Sequence, residues 1–252
     1  MDKAELADFL EEKYHQYAQN AFIDSDPVSI PHLFSKKEDI EIAGFITATI
    51  SWGVRKSILK NAQTLFQKMD NAPFEFVQHA NQNELEKMSY FVHRTFNGND
   101  LKFFIESLRN IYQNKGGLEN IFIVEKGETD VKQAIVRARK HFFETTGLER
   151  TKKHFSNPDE KSAAKRINMF LRWMVRKDAV DFGIWKNIAP SYLICPLDVH
   201  SGRVARKLNL LNRTQNDWSA ALELSENLRI FDKNDPIKYD FALFGLGVFE
   251  KF

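Results

Sequence analysis

The sequence predicts an all-α protein. Apolar residues recur with the 3.6-residue period of a helix through most of the chain, and the strict alternation typical of strands is almost absent. The 252 residues are 43% hydrophobic and 13% aromatic, which is enough for a packed core. We expect a single compound domain of two lobes. In it, the N- and C-terminal helices, about 1–60 and 210–252, pack as one lobe and about 61–209 forms the other.

The first helices are recognised by their apolar faces. Helices are expected at 2–19, 39–69, 73–81 with 82–90, 100–113 and 130–145. Asp39 is a suitable first residue for the second of them, and Gly53 is a position at which that helix can divide into two. Linker-like composition occurs at Gly116-Gly117 and at 147–160.

Capping residues delimit the helices in the last third of the chain. Helices are expected at 161–176, 201–209, 217–229 and 236–244. Asn216 or Asp217 caps the third of these, and Asp235 followed by Pro236 begins the fourth. Gly245 and Gly247 are expected to end the last helix.

Composition excludes several classes of protein. Lys and Arg number 36 against 34 Asp and Glu, so the net charge of +2 does not by itself indicate a nucleic-acid-binding protein. The single Cys195 excludes an intramolecular disulfide and a four-cysteine zinc or iron–sulfur site, and it favours a reducing, cytoplasmic location. No run approaches the roughly 20 apolar residues of a membrane span, so no membrane association is expected. We expect no metal and no cofactor.

The predicted helix 161–176 has two contrasting faces. One is apolar, and the other carries Lys161, Lys165, Arg172 and Arg176 without any carboxylate between the first and the last. The stripe is either a solvated surface or a surface that binds a polyanion. If Lys165 is unprotonated, its amine is the group that imine chemistry at a sugar carbon requires.

An aspartate stands at the start of the next predicted helix, after Pro196-Leu197. Asp198 is a good N-cap, and His200, Arg203 and Lys207 follow it on one stripe of the helix, with Arg206 beside them. Asp198 is therefore either only a cap or a carboxylate held next to a polyanion. Beside an attacking lysine, it could stabilise an oxocarbenium-like centre or assist proton transfer.

The segment Leu197-Asp198-Val199-His200 to Arg203-Val204 resembles the aspartate segment of the helix-hairpin-helix DNA glycosylase superfamily, which includes endonuclease III and the 8-oxoguanine glycosylases. Lys165 before Phe170-Leu171-Arg172 is similar to the lysine segment of one branch of the 8-oxoguanine glycosylases. The chain as a whole resembles a bacterial family of uncharacterised proteins of about this length. The residues that carry this second resemblance are Ile42-Ala43-Gly44-Phe45, Ser51-Trp52-Gly53, Phe170-Leu171-Arg172-Trp173-Met174 and Asp240-Phe241-Ala242-Leu243-Phe244-Gly245-Leu246-Gly247.

The superfamily resemblance implies a two-lobed glycosylase-like fold that removes a damaged, for example oxidised, base from duplex DNA and can also cleave the strand at abasic sites. Asp198 would be the catalytic aspartate and Lys165 the nucleophile. The turn before the lysine lacks the superfamily's glycines, which implies a degenerate hairpin, and the 33-residue spacing from Lys165 to Asp198 implies an insertion around 177–191. The cluster cysteines of endonuclease III are absent, so no iron–sulfur cluster is expected.

A flipped base would need a pocket lined by aromatic and apolar side chains. Trp52, Trp173 and Trp185 are the candidates for such a lining or for a wedge, with His32 and His200 as polar readers. The residues expected to contact DNA phosphates are Lys161, Arg172, Arg176, His200, Arg203, Arg206 and Lys207. Two alternatives remain open at this point: a non-catalytic nucleic-acid-binding module on the same scaffold, and a protein-interaction domain.

Overall fold

α-Helices make up most of the structure, and the all-α prediction is confirmed. The computed structural model describes residues 1–145, 147 and 149–252. The helices are α1 (Lys3–Tyr17), α2 (Asn20–Ile23), α3 (Lys37–Ile50), α4 (Arg55–Gln67), α5 (Pro73–His79), α6 (Gln82–Lys87), α7 (Gly98–Asn114), α8 (Leu118–Ile121), α9 (Lys132–Phe142), α10 (Lys165–Val175), α11 (Val199–Lys207), α12 (Trp218–Arg229) and α13 (Asp240–Val248). Short 3-10 helices connect several of them, including Met88–Tyr90, Glu149–His154, Pro158–Glu160 and Pro236–Tyr239.

The predicted long helix 39–69 is divided at the expected glycine. α3 ends at Ile50 and α4 begins at Arg55, and Gly53 between them has φ +100°. Backbone of that conformation strains any residue with a Cβ atom, so glycine permits the turn. A small hairpin was not expected. Its strands, β1 (Val92–His93) and β2 (Phe96–Asn97), pair antiparallel, with Val92 opposite Asn97.

The expectation that Gly245 and Gly247 end the last helix is wrong. Both lie inside α13, which continues to Val248. A Cβ atom on Gly245 would lie 2.1 Å from the ring of Tyr17 on α1, and one on Gly247 would lie 3.1 Å from His200. The glycines therefore allow close packing of α13 against its neighbours rather than a C-terminal cap.

Two compact units divide the chain. Unit 1 contains Met1–Asp24, Val124–Gln133 and Asn157–Phe252, and unit 2 contains Ser25–Ile123 and Ala134–Ser156. The terminal helices α1 and α13 pack together within unit 1. The expected boundaries differ, because residues 25–60 belong to unit 2 and residues 157–209 to unit 1.

The packing of α3 explains why residues 25–60 belong to unit 2. Every residue of α3 from Ile40 to Ile50 is buried, and Phe45 contacts the rings of Phe104, Phe142 and Phe155. A helix surrounded in this way belongs to the core of unit 2.

The predicted linker 147–160 includes Leu148, which, like Thr146, lies outside the described residues. The described part of this segment is largely structured. It contains the 3-10 helices Glu149–His154 and Pro158–Glu160, and Thr151, His154 and Phe155 are buried. Its polar composition reflects buried hydrogen bonds, such as the one from the Thr151 hydroxyl to Asp100 at 2.7 Å, rather than an exposed linker.

Candidate active site

Lys165 and Asp198, the two residues predicted from the sequence to be catalytic, lie close together in unit 1. Lys165 Nζ is 3.8 Å from Asp198 Oδ2. The side chains remain 30% and 25% exposed, respectively, so a ligand in solvent can reach both. The 32 residues between them in sequence do not prevent this contact.

Asp198 is held in place by its role as a helix cap. Its Oδ1 accepts the backbone N–H groups of His200 and Ser201 at 2.8 and 3.0 Å. In return, Ser201 Oγ accepts the backbone N–H of Asp198, which completes a capping box. One carboxylate oxygen is thus fixed by the helix, and the other faces the lysine. The cap and the candidate catalytic group are the same side chain.

Lys165 is the first residue of α10, four residues later than the expected helix start. The preceding residues adopt an irregular turn in which Lys161 and Ala164 have left-handed backbone conformations, with φ of +64° and +46°. The lysine ammonium also donates to Met169 Sδ, one turn along the helix, at 3.7 Å. Because of the later start, Lys161 does not belong to the helical stripe that the sequence suggested.

The predicted cationic stripe is not a DNA-facing surface, because Arg172 and Arg176 are buried. Their side chains are 5% and 0% exposed. Both are paired in what we call the α10 ion-pair network, whose members are Arg172, Arg176, Asp178, Asp181, Asp235 and Asp240. A guanidinium that faces the core needs carboxylate partners to offset its desolvation. These come from residues 178–181, from Asp235 and from Asp240 at the start of the last helix. The absence of carboxylates within the helix therefore indicated distant partners, not a polyanion.

The α10 ion-pair network contains four carboxyl groups and two guanidinium groups. Burial raises the pKa of Asp240, and it raises the pKa of Asp181 to about 6 although Arg172 and Arg176 oppose it. Burial alone would lower the pKa of Arg176, but Asp181 and Asp235 raise it well above its ordinary value. The Arg176 guanidinium therefore stays charged, and the buried Asp181 and Asp240 carboxyl groups retain protons more readily than exposed ones do.

The remaining predicted phosphate contacts lie on the surface of unit 1. Lys161, His200, Arg203 and Lys207 are exposed. Arg203 donates to the Gly247 carbonyl at 2.9 Å, and the Lys207 ammonium lies 5.3 Å from the centre of the Phe252 ring. These contacts involve only part of each cationic group, which leaves further donors for a ligand.

Arg206 has a structural role in addition to any binding role. Its guanidinium donates to the carbonyls of Arg213 and Thr214 at 2.8 and 3.0 Å, and to Asn216 Oδ1 at 2.7 Å. These bonds hold the loop that precedes α12 against α11. Of the predicted cations on α11, it is the one most fully engaged with the protein.

Two of the three tryptophan candidates are placed wrongly by the sequence reasoning. Trp173 and Trp185 are 0% and 1% exposed, so they belong to the core of unit 1 and neither can act as a wedge. Trp52 lies in unit 2 and is partly exposed. Its ring meets His93 edge-on at 5.2 Å and stacks near His154 at 5.9 Å. His32, the other predicted reader, is exposed in unit 2.

The sequence reasoning missed Asp240 and Cys195. Asp240 accepts a hydrogen bond from Arg172, and the buried Cys195 thiol lies 3.7 Å from Asp240 Oδ1. Burial raises the pKa of Cys195 well above its ordinary value, so the thiol is a donor rather than a nucleophile. Asp240 lies 42 and 75 positions after Asp198 and Lys165, and no local pattern links it to either.

The arrangement of Lys165 beside Asp198 suits nucleophilic chemistry with proton transfer. A partly exposed amine next to a fixed carboxylate is a nucleophile with a neighbouring proton acceptor.

Among the described residues, no group of three or more His, Cys, Asp or Glu side chains is arranged to hold a metal ion. In the same part of the chain, no helix has both the length and the apolar character needed to cross a bilayer.

Residues 26–249 match the model of a protein family described as "Protein of unknown function (DUF2400)". The match covers most of the chain. No curated protein and no solved structure matches it.

Proposed function

Since the chain belongs to the DUF2400 family, whose description names no activity, we propose a function from the site itself: the protein binds DNA and removes a damaged base, as base-excision glycosylases do. The observation that carries the proposal is the 3.8 Å contact between Lys165 and Asp198. The resemblance to glycosylases named these two residues from separate segments, and an accidental match would give no reason for them to meet.

In the proposed reaction, the free amine of Lys165 attacks C1′ of the damaged nucleotide. The electron pair of the C1′–base bond leaves with the base, which takes up a proton. Asp198 Oδ2 stabilises the positive charge that develops on the sugar and accepts the proton that the lysine nitrogen loses. Opening of the sugar ring then gives an imine between Lys165 and C1′, from which strand cleavage can follow.

The exposed cations of unit 1 accord with a polyanionic ligand. Lys161, Arg203 and Lys207 are exposed in the same unit as Lys165, and phosphate contacts by such residues give affinity without sequence preference. A DNA backbone is the ligand that we assign to them. The single buried Cys195 accords with a reducing compartment, and we place the protein in the cytoplasm.

Borohydride trapping tests the proposal, because it reduces an imine to a stable covalent bond between protein and DNA. The substrates are duplexes that carry 8-oxoguanine, an oxidised pyrimidine, uracil or an abasic site. We expect a covalent band that is lost in Lys165→Gln and kept in the control Lys233→Gln, at an exposed lysine to which we assign no DNA contact. Trapping that persists in Lys165→Gln would exclude Lys165 as the nucleophile.

The same experiment separates the alternatives. Salt-sensitive DNA binding without a covalent band would indicate a non-catalytic nucleic-acid-binding module in which Asp198 serves only as the cap of α11. The absence of DNA binding at low salt would indicate a protein-interaction domain. Either outcome would contradict the lysine-dependent reaction.

A further inference from the structure

α4, in unit 2, carries positive charge without any carboxylate to balance it. No Asp or Glu occurs in residues 42–69, a range that includes the whole helix. Lys56 and Lys60, four residues apart on one side of α4, are exposed. Neither side chain forms a hydrogen bond or an ion pair with any of the described residues. The same sequence feature in α10 reflects buried ion pairs, whereas here the charges stay on the surface.

Trp52 lies just before α4 and is open to solvent. Of the four tryptophans, all of which lie in the described part of the chain, Trp173, Trp185 and Trp218 are at most 5% exposed, and Trp52 is the one that is not buried. His93 Nε2 donates to the Trp52 carbonyl at 3.1 Å, and the imidazole packs edge-on against the indole. These contacts hold the indole in place while part of it remains accessible.

The β1–β2 hairpin adds an exposed arginine to this surface. Asn61 on α4 donates to His93 Nδ1 at 2.9 Å, which joins the hairpin to the helix. Arg94, at the two-residue turn, has φ +55°, a conformation that favours Gly and Asn. A Cβ atom on Gly53 would lie 2.8 Å from Arg94 Nη1, so the guanidinium lies against the backbone next to Trp52. No hydrogen bond or ion pair joins the Arg94 side chain to another described residue.

Asp100 does not place negative charge on this surface. It is connected to Trp52 through His154, whose ring stacks on the indole and whose Nε2 lies 3.4 Å from Asp100 Oδ2. The Asp100 carboxylate is fully buried and accepts hydrogen bonds from Arg150 and Thr151 at 2.8 and 2.7 Å. The Arg150 guanidinium offsets its charge, so the surface beside the indole keeps its positive character.

We propose that this part of unit 2 binds a single strand of nucleic acid. The site, which we call the strand site, consists of Trp52, Lys56, Lys60 and Arg94. An unpaired base stacks on the accessible part of the indole, and the three cations bind phosphates of the same strand. An aromatic ring beside unpaired cations gives such binding without sequence preference. The inference shares with the proposed function only the class of ligand, and it requires neither residue of the candidate active site.

Tryptophan fluorescence tests the stacking, because the other three tryptophans are buried. The full-length protein is titrated with single-stranded oligothymidylate of about 12 nucleotides, and separately with inorganic polyphosphate, which carries the charge without bases. We expect the oligonucleotide to quench the fluorescence and polyphosphate to leave it unchanged. Trp52→Phe should abolish the quenching. An oligonucleotide that binds without quenching, or equal quenching by polyphosphate, would exclude stacking on Trp52.

Substitutions that each remove one positive charge test the phosphate contacts. Arg94→Asn suits the left-handed backbone, so it removes the charge without straining the turn. The slope of log K against log salt for oligothymidylate should fall by about 0.7 in Arg94→Asn and in Lys60→Gln. Lys140→Gln, at an exposed lysine of α9 outside the strand site, should keep the slope of the wild type. An unchanged slope in Arg94→Asn, or an equal loss in Lys140→Gln, would overturn the site.

Trp52→Leu measures how much the stacked base contributes. We expect the affinity for oligothymidylate to fall by about 5-fold to 150-fold, the usual range for one base stacked on an aromatic side chain. Thermal melting checks that the variant is folded, since Trp52 also packs against two histidines. If Trp52→Leu is unfolded, the salt dependence of Arg94→Asn still decides the question.

The strand site and the proposed base excision can fail separately. Trapping of the wild type without any binding of oligothymidylate would overturn the strand site and leave the glycosylase reaction intact. Quenching by oligothymidylate without trapping would uphold the strand site and contradict the lysine-dependent reaction. Salt-sensitive binding that neither quenches Trp52 nor responds to Arg94→Asn would assign the strand to another surface.

Discussion

Asp198 uses one carboxylate oxygen to cap α11 and faces Lys165 with the other, at 3.8 Å. The helix thus fixes the group that the proposed reaction needs. A side chain with two such roles allows its structural and chemical contributions to be separated by substitution, because asparagine retains the first role and lacks the second.

We expect Asp198→Asn to abolish trapping while thermal stability stays close to that of the wild type, since asparagine caps helices about as well as aspartate. Asp198→Ala should also lose trapping, and it should be less stable by about 1 kcal/mol because the cap is lost. Urea unfolding measures the difference. Equal stability of the two variants would contradict the capping geometry, and residual trapping in Asp198→Asn would contradict the need for the carboxylate.

Arg176 should be essential for folding stability. Its side chain is fully buried against Asp181 and Asp235, so Arg176→Met leaves buried carboxylate charge without its partner. Removal of one member of a buried ion pair costs about 3–5 kcal/mol. Chemical denaturation should show a loss of this size, whereas Lys233→Met, at an exposed lysine, should show little change. A small loss in Arg176→Met would mean that the guanidinium is not buried in this network.

Gly245→Ala should destabilise unit 1, because the new methyl group would lie 2.1 Å from the Tyr17 ring. Overpacking of this kind typically costs about 1–3 kcal/mol. The double variant Tyr17→Ala with Gly245→Ala should lose less than the sum of the two single variants, since the smaller side chain makes room for the methyl group. Additive losses in denaturant unfolding would rule out the contact.

The Arg213–Asp217 pair at the start of α12 should stabilise the protein in a pH-dependent way. Hydrogen bonds from Arg213 lower the pKa of Asp217 to about 2. A carboxyl whose pKa is lower in the folded state stabilises the fold above its unfolded pKa of about 3.9, and this contribution disappears as pH falls toward 2.

Asp217→Asn keeps a capping oxygen for α12 and removes the charge. Its melting temperature should therefore lie below that of the wild type at pH 7, and the two should converge near pH 2. A difference between them that is constant across this range would assign the effect to the cap and not to the ion pair.

Lys161→Asn should reduce the salt dependence of DNA binding. Lys161 is exposed with φ +64°, a conformation that asparagine tolerates, so the substitution removes the charge with little strain. Loss of one phosphate contact lowers the slope of log K against log salt by about 0.9. Lys233→Asn, at another exposed lysine, serves as the control, and equal slopes for Lys161→Asn and wild type would exclude Lys161 from the interface.

The sequence alone was sufficient for the fold class and for most helix positions, because both depend on local periodicity and capping. Asp198 was identified as a cap from its own neighbourhood, Asp217 was one of two candidate caps for α12, and Gly53 marked the break between α3 and α4. These features involve residues close together in the chain, so their physical causes are visible in the sequence.

The candidate site was predicted only in part. Lys165 and Asp198 were named from their resemblance to motifs, but their contact depends on how α10 packs beside the start of α11. Arg172 and Arg176 were assigned to the surface because a helical pattern shows which residues share a face of the helix. The pattern does not show which face the rest of the protein buries. Gly245 was taken for a helix end because the residue that requires a glycine there, Tyr17, is 228 positions away in the sequence.

The sequence by itself therefore determined that this chain is helical, where most helices begin and end, and which residues were worth testing as a nucleophile and its carboxylate partner. Only the tertiary structure decided that Arg172 and Arg176 are buried, that Asp240 pairs with Arg172, and how the chain divides into two units. The physical reason is that periodicity and capping are local interactions. Burial and charge pairing depend on neighbours that folding brings together from distant positions.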